Sequence, residues 1–156
     1  MRYGGHAQAA GFTIANDQIE PFTEAMIEIA EDALAHRHLT PSLTIDAEIG
    51  LDEIDWALLE QLKRLEPTGQ HNPTPIFMTS NVQVLNYKVV GRDSTHLQLE
   101  VSDGAVGFKT IAFRQAGWAE CMPRRIDIAY TIGVNEFRGR RTIQLKIEDI
   151  RPTEPA

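Results

Sequence analysis

From Pro75 onward the sequence reads almost entirely as β-structure. Extended runs fall at about 76–90, 96–102, 106–113, 126–137 and 141–150. Within them Leu97, Leu99 and Val101 alternate with polar neighbours, and so do Ile143, Leu145 and Ile147. Alternation with a period of two is the pattern of a strand with one face on a core. Three of the breaks are Gly91-Arg92-Asp93, Asp103-Gly104 and Arg138-Gly139-Arg140, residue types that reverse a chain. The third and fourth runs are joined differently, by Gln115-Ala116-Gly117-Trp118-Ala119-Glu120-Cys121. That segment reads as a single helix ending before Pro123.

Five strands with a helix between the third and fourth is the layout of an OB-type barrel. Such a barrel is a five-stranded Greek key that takes oligonucleotides on strands 2–3 and on the loops joining strands 1–2 and 4–5. Here those two loops carry Arg92 and the tip Arg138, Arg140 and Arg141.

Upstream the periodicity changes. Phe12-Thr13-Ile14 reads as a short strand. Asn16 or Asp17 then caps a helix, with Glu20 as capping-box partner to Asp17. Ile19, Phe22, Met26, Ile29 and Ala33 recur at helical steps and form one apolar stripe. The pattern ends near His36-Arg37-His38. Leu43, Ile45, Ala47 and Ile49 alternate as a half-buried strand. Asp52 is placed to cap a second helix, with Leu51 and Trp56 as a hydrophobic staple and Ile54, Leu58, Leu62 and Leu65 as its stripe. The segment from Pro67 to Pro75 holds three prolines and cannot be helical, so it is a rigid connector.

Composition narrows the class. At 42% hydrophobic and 24% charged, the 156 residues suit a folded globular chain. No apolar run approaches a membrane span, and neither a signal peptide nor a membrane partner is expected. A single cysteine, Cys121, excludes an internal disulfide and a Cys-rich zinc site, and a cytoplasmic setting is the expectation. The net charge of −7 hides a division. Between Asp17 and Glu66 there are 13 acidic and 3 basic residues, whereas from Pro67 onward there are 9 acidic and 11 basic. Local positive charge binds phosphate even on an acidic protein, because salt confines each field to about 8 Å.

The amino-terminal run Gly4-Gly5-His6 followed by Ala9-Ala10-Gly11 is the second candidate site. Glycines let a backbone approach a ligand and expose N–H groups to an anion, and a histidine beside them can donate to a phosphate oxygen. The other reading is a tight turn with small residues under a helix. The run resembles the signature of the DHH-associated domain in the DHH phosphoesterase superfamily. Leu65-Glu66-Pro67, Gly69, Asn72-Pro73 and Pro75-Ile76-Phe77 resemble the connector of bacterial RecJ exonucleases. So do Gly91-Arg92-Asp93 with His96-Leu97, Ile111-Ala112-Phe113, and the segment from Asn135 to Leu145. The resemblance runs from Arg2 to Pro152 and departs at Thr68, where an aromatic residue is usual in that family.

The resemblance implies an α+β chain. Residues 1–40 would be a strand–helix remnant of an α/β domain, the end of the DHH-associated domain. Residues 41–156 would hold the connector helix and the five-stranded OB-type barrel. It also implies a role in a single-strand-specific 5′→3′ exonuclease of DNA repair and recombination, dependent on Mn²⁺ or Mg²⁺. The metal ligands of that enzyme belong to a catalytic DHH domain, and no Asp-His-His run occurs here. No catalytic residue, cofactor or metal ligand is therefore assigned within this chain. The partners implied are single-stranded DNA, that catalytic domain and a single-strand-binding protein. The resemblance places His6 and its glycines on the DNA backbone near the scissile phosphate, with Arg2, Ala9, Ala10 and Gly11 beside them. On the barrel, the phosphate candidates are Lys88, Arg92, Lys109, Arg114, Arg138, Arg140, Arg141 and Lys146. Tyr87 and Phe137 are candidates for base stacking, whereas Phe113, Trp118 and Tyr130 are expected mainly in the core. Two other classes compete: a self-contained phosphoesterase built on His6, and a protein-interaction module without nucleic-acid binding.

Overall fold

The structure is a computed structural model that describes residues 2–6, 9–37 and 40–154. The chain forms two compact units, residues 1–42 and 43–156.

In the first unit, β1 (Arg2–His6) and β2 (Ala9–Thr13) pair antiparallel, with Gly4 opposite Gly11 and Gly5 opposite Ala10. The strand expected at 12–14 therefore starts earlier, and the small-residue run is a hairpin rather than a tight turn under a helix. A 3-10 turn over Asn16–Gln18 leads into α1 (Ile19–Leu34). Neither Asn16 nor Asp17 caps this helix: Gln18 stands at the N-cap and makes no side-chain cap bond. Pro21 lies in the first turn, where its missing N–H costs nothing. Phe12 of β2 packs on Phe22 of α1, ring centroids 4.6 Å apart. No residue of α1 is buried, and Ile19, Met26 and Ile29 are all exposed, Ile29 the most.

The second unit begins differently from its sequence pattern. Only β3 (Ala47–Glu48) forms of the expected strand over 43–49, parallel to the start of the next strand. Asp52 sits inside a 3-10 turn (Leu51–Glu53), where Glu53 accepts from the Gly50 N–H. The cap of α2 (Trp56–Lys63) is Asp55, whose Oδ1 accepts from the Leu58 N–H at 2.7 Å. Leu59 is the buried residue of this helix, Leu58 and Leu62 are half-buried, and Leu65, beyond its end, is exposed. Leu51 and Ile54 are buried ahead of the helix, and Trp56 stays exposed instead of closing a staple. The connector is held by Asn72, whose Nδ2 donates to the carbonyls of Leu65 (2.7 Å) and Pro67 (3.1 Å).

The barrel strands fall almost where the alternation places them: β4 (Phe77–Val90), β5 (His96–Ser102), β6 (Gly107–Ala112), β7 (Arg125–Phe137) and β8 (Arg140–Pro152). Their order is β4-β5-β6-β8-β7, and β7 returns to β4. The sheet is thereby closed, with only β6–β8 parallel among these pairings. This is a five-stranded OB barrel in an α+β chain. The segment between the third and fourth strands is a 3-10 helix, Ala116–Glu120, rather than an α-helix. Leu97, Leu99, Val101, Ala112, Ile126, Ile128, Leu145 and Ile147 fill the interior. Tyr130 is fully buried among them, with its hydroxyl 2.8 Å from Thr79 Oγ1. Thr79 uses its proton on the Ile49 carbonyl (2.8 Å), so Tyr130 is the donor to Thr79. Burial pushes the Tyr130 phenol up to about 12.

Candidate nucleic-acid interface

Strand alternation decides which candidates share a surface. Cross-strand partners point to the same side of a sheet, and Leu97, Leu99 and Val101 point inward. Their neighbours His96, Gln98 and Glu100 therefore face out. The register extends this outer face across four strands. Lys88 pairs with Gln98, Gln98 with Ile111, and Ile111 with Lys146. The next row is Asn86, Glu100 and Lys109. These side chains border a shallow depression of about 140 Å³. The loop with Arg92 lies at one end of β5, and the β7–β8 tip extends beyond the opposite end of β6. Seven residues of β5, at about 3.3 Å each, give a face roughly 20 Å long between them.

The described residues make three close ion pairs: Lys63–Glu60, Lys146–Glu148 and Arg151–Asp127. Lys88, Arg92, Lys109, Arg114 and Arg140 belong to none of them. Glu148 faces outward, but Lys146 holds its carboxylate at 2.9 Å. Asp127 is structural. Burial opposes its ionisation, yet the Asn81 N–H, Thr153 Oγ1 and the Arg151 guanidinium hold its carboxyl below the usual range.

The basic tip is not one patch. A two-residue turn, Arg138 (φ 51°) and Gly139 (φ 74°), joins β7 to β8. Two positive φ values suit the right-handed twist of a hairpin. Beyond the turn, Arg140 is on the side of Gln144 and Lys146, whereas Arg141 is on the side of Ile143 and Leu145. Arg141 lies over the indole of Trp56, 5.6 Å from its centroid. Arg138 lies over Phe137 at 5.2 Å, and Phe137 is exposed. Tyr87 pairs with the buried Leu99, so it sits on the opposite side of β4 from Lys88, with two-fifths of its surface exposed.

Phe113 is not a core residue: it is 46% exposed, whereas Tyr130 is buried and Trp118 half-buried. The alternation carries the signal: Lys109 and Ile111 share one side of β6, Thr110 and Ala112 the other, and Phe113, the residue after the strand, continues the parity of Lys109 and Ile111. His96 is a further residue of this face. It pairs with Val90 on the outer face and meets Phe113 edge-on, centroids 5.1 Å apart. Trp56 as a partner for Arg141 has no sequence signal, because 85 residues separate them.

In the first unit, Gly4, Gly5, His6, Ala9, Ala10 and Gly11 are all exposed on the hairpin. The side chain of Arg2, together with Ala7, Gln8 and His38, lies outside the described residues. The positive-φ glycines are Gly91, Gly104 and Gly139, so the motif does not form a left-handed nest among the described residues. Gly5 is needed for close approach instead: a Cβ there would lie 2.7 Å from Ala10 Cβ and 2.9 Å from the Ala9 carbonyl oxygen. Gly4 and Gly11 have open space around them.

No three His, Cys, Asp or Glu side chains converge among the described residues. The donor set does not fit a divalent metal ion, and no chemical step through one is assigned to these residues. No helix among them is long and apolar enough to cross a membrane.

A closed five-stranded barrel with this strand order, carrying basic side chains on its outer face between two arginine-bearing loops, defines the class as an OB-fold domain. The sequence model of the RecJ OB domain matches residues 45–149, and the chain belongs to that family. It is 30% identical over 97% of its length to the single-stranded-DNA-specific exonuclease RecJ of Dickeya dadantii. It is 29% identical over 97% of its length to that of Escherichia coli. It covers 27% and 26% of those relatives, so the chain spans about a quarter of their length. A crystal structure of Thermus thermophilus RecJ with Mn²⁺ superposes with a TM-score of 0.72 at 23% identity, over 99% of this chain and 22% of the other. That likeness supports the fold.

Proposed function

We propose that this chain is the single-stranded-DNA-binding portion of a RecJ-like 5′→3′ exonuclease acting in DNA repair and recombination in the cytoplasm. The outer face of β5, β6 and β8 holds the phosphates of one strand, with Lys88, Lys109 and Lys146 along it and Arg92, Arg114 and Arg140 at its ends. The β1–β2 hairpin supplies His6 and exposed backbone to the strand beside a DHH catalytic domain. That domain carries the Mn²⁺ or Mg²⁺ ions, which in two-metal sites activate the attacking water and stabilise the leaving oxygen. The observation that carries this reading is that Lys88, Lys109, Arg92, Arg114 and Arg140, none of them in a close ion pair among the described residues, gather on and around the face that OB barrels use, while Lys146 there is shared with Glu148 and Lys109 stands across from Glu100.

Binding to a fluorescent single-stranded oligonucleotide, followed by anisotropy at several salt concentrations, tests it. Each phosphate contact should contribute about −0.7 to the slope of log K against log salt. The same chain, incubated with 5′-phosphorylated single strand and Mn²⁺, should leave the strand intact. Salt-independent binding, or none, would remove the nucleic-acid reading. Degradation lost in His6→Ala would instead support a self-contained phosphoesterase.

A further inference from the structure

Two loops converge on one imidazole. Gly91 has φ +97°, and a Cβ there would lie 3.1 Å from His96 Cδ2. Both the conformation and the space require glycine. Arg114, which has a Cβ, nevertheless adopts φ 59°, a sparsely populated region for such residues. Its N–H donates to His96 Nδ1 at 3.1 Å. The loops are also tied to each other, since the Ala116 N–H donates to the Thr95 carbonyl at 3.2 Å. A strained Arg114 and a glycine without room for a side chain, both against one imidazole, mark a position that the fold over-determines.

Nδ1 accepts this bond and also lies 3.1 Å from Thr95 Oγ1, so the ring's donor is its other nitrogen. The proton is on Nε2, and among the described residues no protein group accepts from it. The ring stands edge-on to Phe113, which is 46% exposed. Arg92 and Arg114, both exposed, follow Gly91 and Phe113 in sequence. Glu148 comes next in register on β8, and Lys146 engages it. An exposed aromatic face, an oriented N–H donor and two guanidinium groups at one end of the barrel match one nucleotide: base, acceptor atom and flanking phosphates.

We infer that Phe113 and His96 form a nucleobase subsite at the Arg92 end of the binding face. The base stacks on Phe113, and His96 Nε2–H donates to an acceptor on its edge. The inference rests on the proposed strand-binding role of the barrel.

The test uses the full chain, one oligonucleotide with all its bases and a second of equal length built of abasic sites. Phe113→Ala should weaken binding of the first by about five-fold or more, the lower end for a stacked base, and leave binding of the second unchanged. Phe113→Leu, which keeps apolar packing but has no ring, should show the same loss, and Phe113→Tyr should restore affinity. Only the base-bearing strand should shift the ¹⁵N resonance of His96 Nε2. Lys109→Ala should weaken both strands equally. Equal binding of the two strands by the unaltered protein, or Phe113 variants that behave alike on both, would overturn the subsite while leaving the phosphate-binding face intact. Absence of binding to either strand would overturn both.

Discussion

Arg140 and Arg141 are neighbours in sequence, but alanine at each should give different results. Arg140 points with Gln144 and Lys146 onto the proposed binding face and belongs to no close ion pair. Removing it deletes one phosphate contact, so the slope of log K against log salt should become shallower by about 0.7. Affinity should fall alike for different base sequences, because phosphate contacts position a strand without reading it. Arg141 turns to the other side and lies over Trp56 at 5.6 Å. Its loss should leave the salt slope unchanged and lower stability by about 0.5–1 kcal/mol, the range for an exposed cation–π pair. The double variant should therefore shift the slope by about 0.7, not 1.4. Anisotropy titrations at four salt concentrations give the slopes, and urea unfolding followed by tryptophan fluorescence gives the stabilities. A slope change in Arg141→Ala equal to that in Arg140→Ala would refute the assignment of the two side chains to opposite faces. So would an unchanged slope in Arg140→Ala.

Two further predictions concern pH. Tyr130 has its folded-state value raised from 10 to about 12, so its contribution is fully present below pH ~10 and is lost as pH rises towards 12. Tyr130→Phe should flatten this alkaline loss in urea midpoints measured from pH 8 to 12. At neutral pH it should cost about 0.5–1.5 kcal/mol for the bond to Thr79. Asp127 has its value lowered from 3.8, so its contribution is present above about pH 4 and is lost as pH falls through the folded-state value. Asp127→Asn should lower stability at pH 7 by about 1–3 kcal/mol, because it weakens bonds to the buried carboxylate. It should also reduce the acid dependence of the denaturation midpoint between pH 5 and 2.

The alternation of Leu97, Leu99 and Val101 determined a strand with one face on a core, because a half-buried strand sorts its residues with a period of two. The same rule puts Arg140 and Arg141 on opposite sides and Phe113 outside, so these placements were legible although proximity in sequence suggested otherwise. The helix starts were less legible. Asp52 and Asp55 both suit a cap, and burial of Leu51 and Ile54 under the barrel selects the later one. Tertiary structure alone decided the contacts between residues far apart in the chain. Trp56 meets Arg141 because the β7–β8 arm reaches α2. His96 is fixed because antiparallel pairing of β5 with β6 sets Leu97 opposite Ala112 and so brings the loop after β6 to the loop before β5, where the Arg114 N–H finds its ring. Sequence periodicity sets which way a side chain points. Which distant group it meets depends on how the strands are ordered around the barrel, and that order is a property of the closed sheet rather than of any one segment.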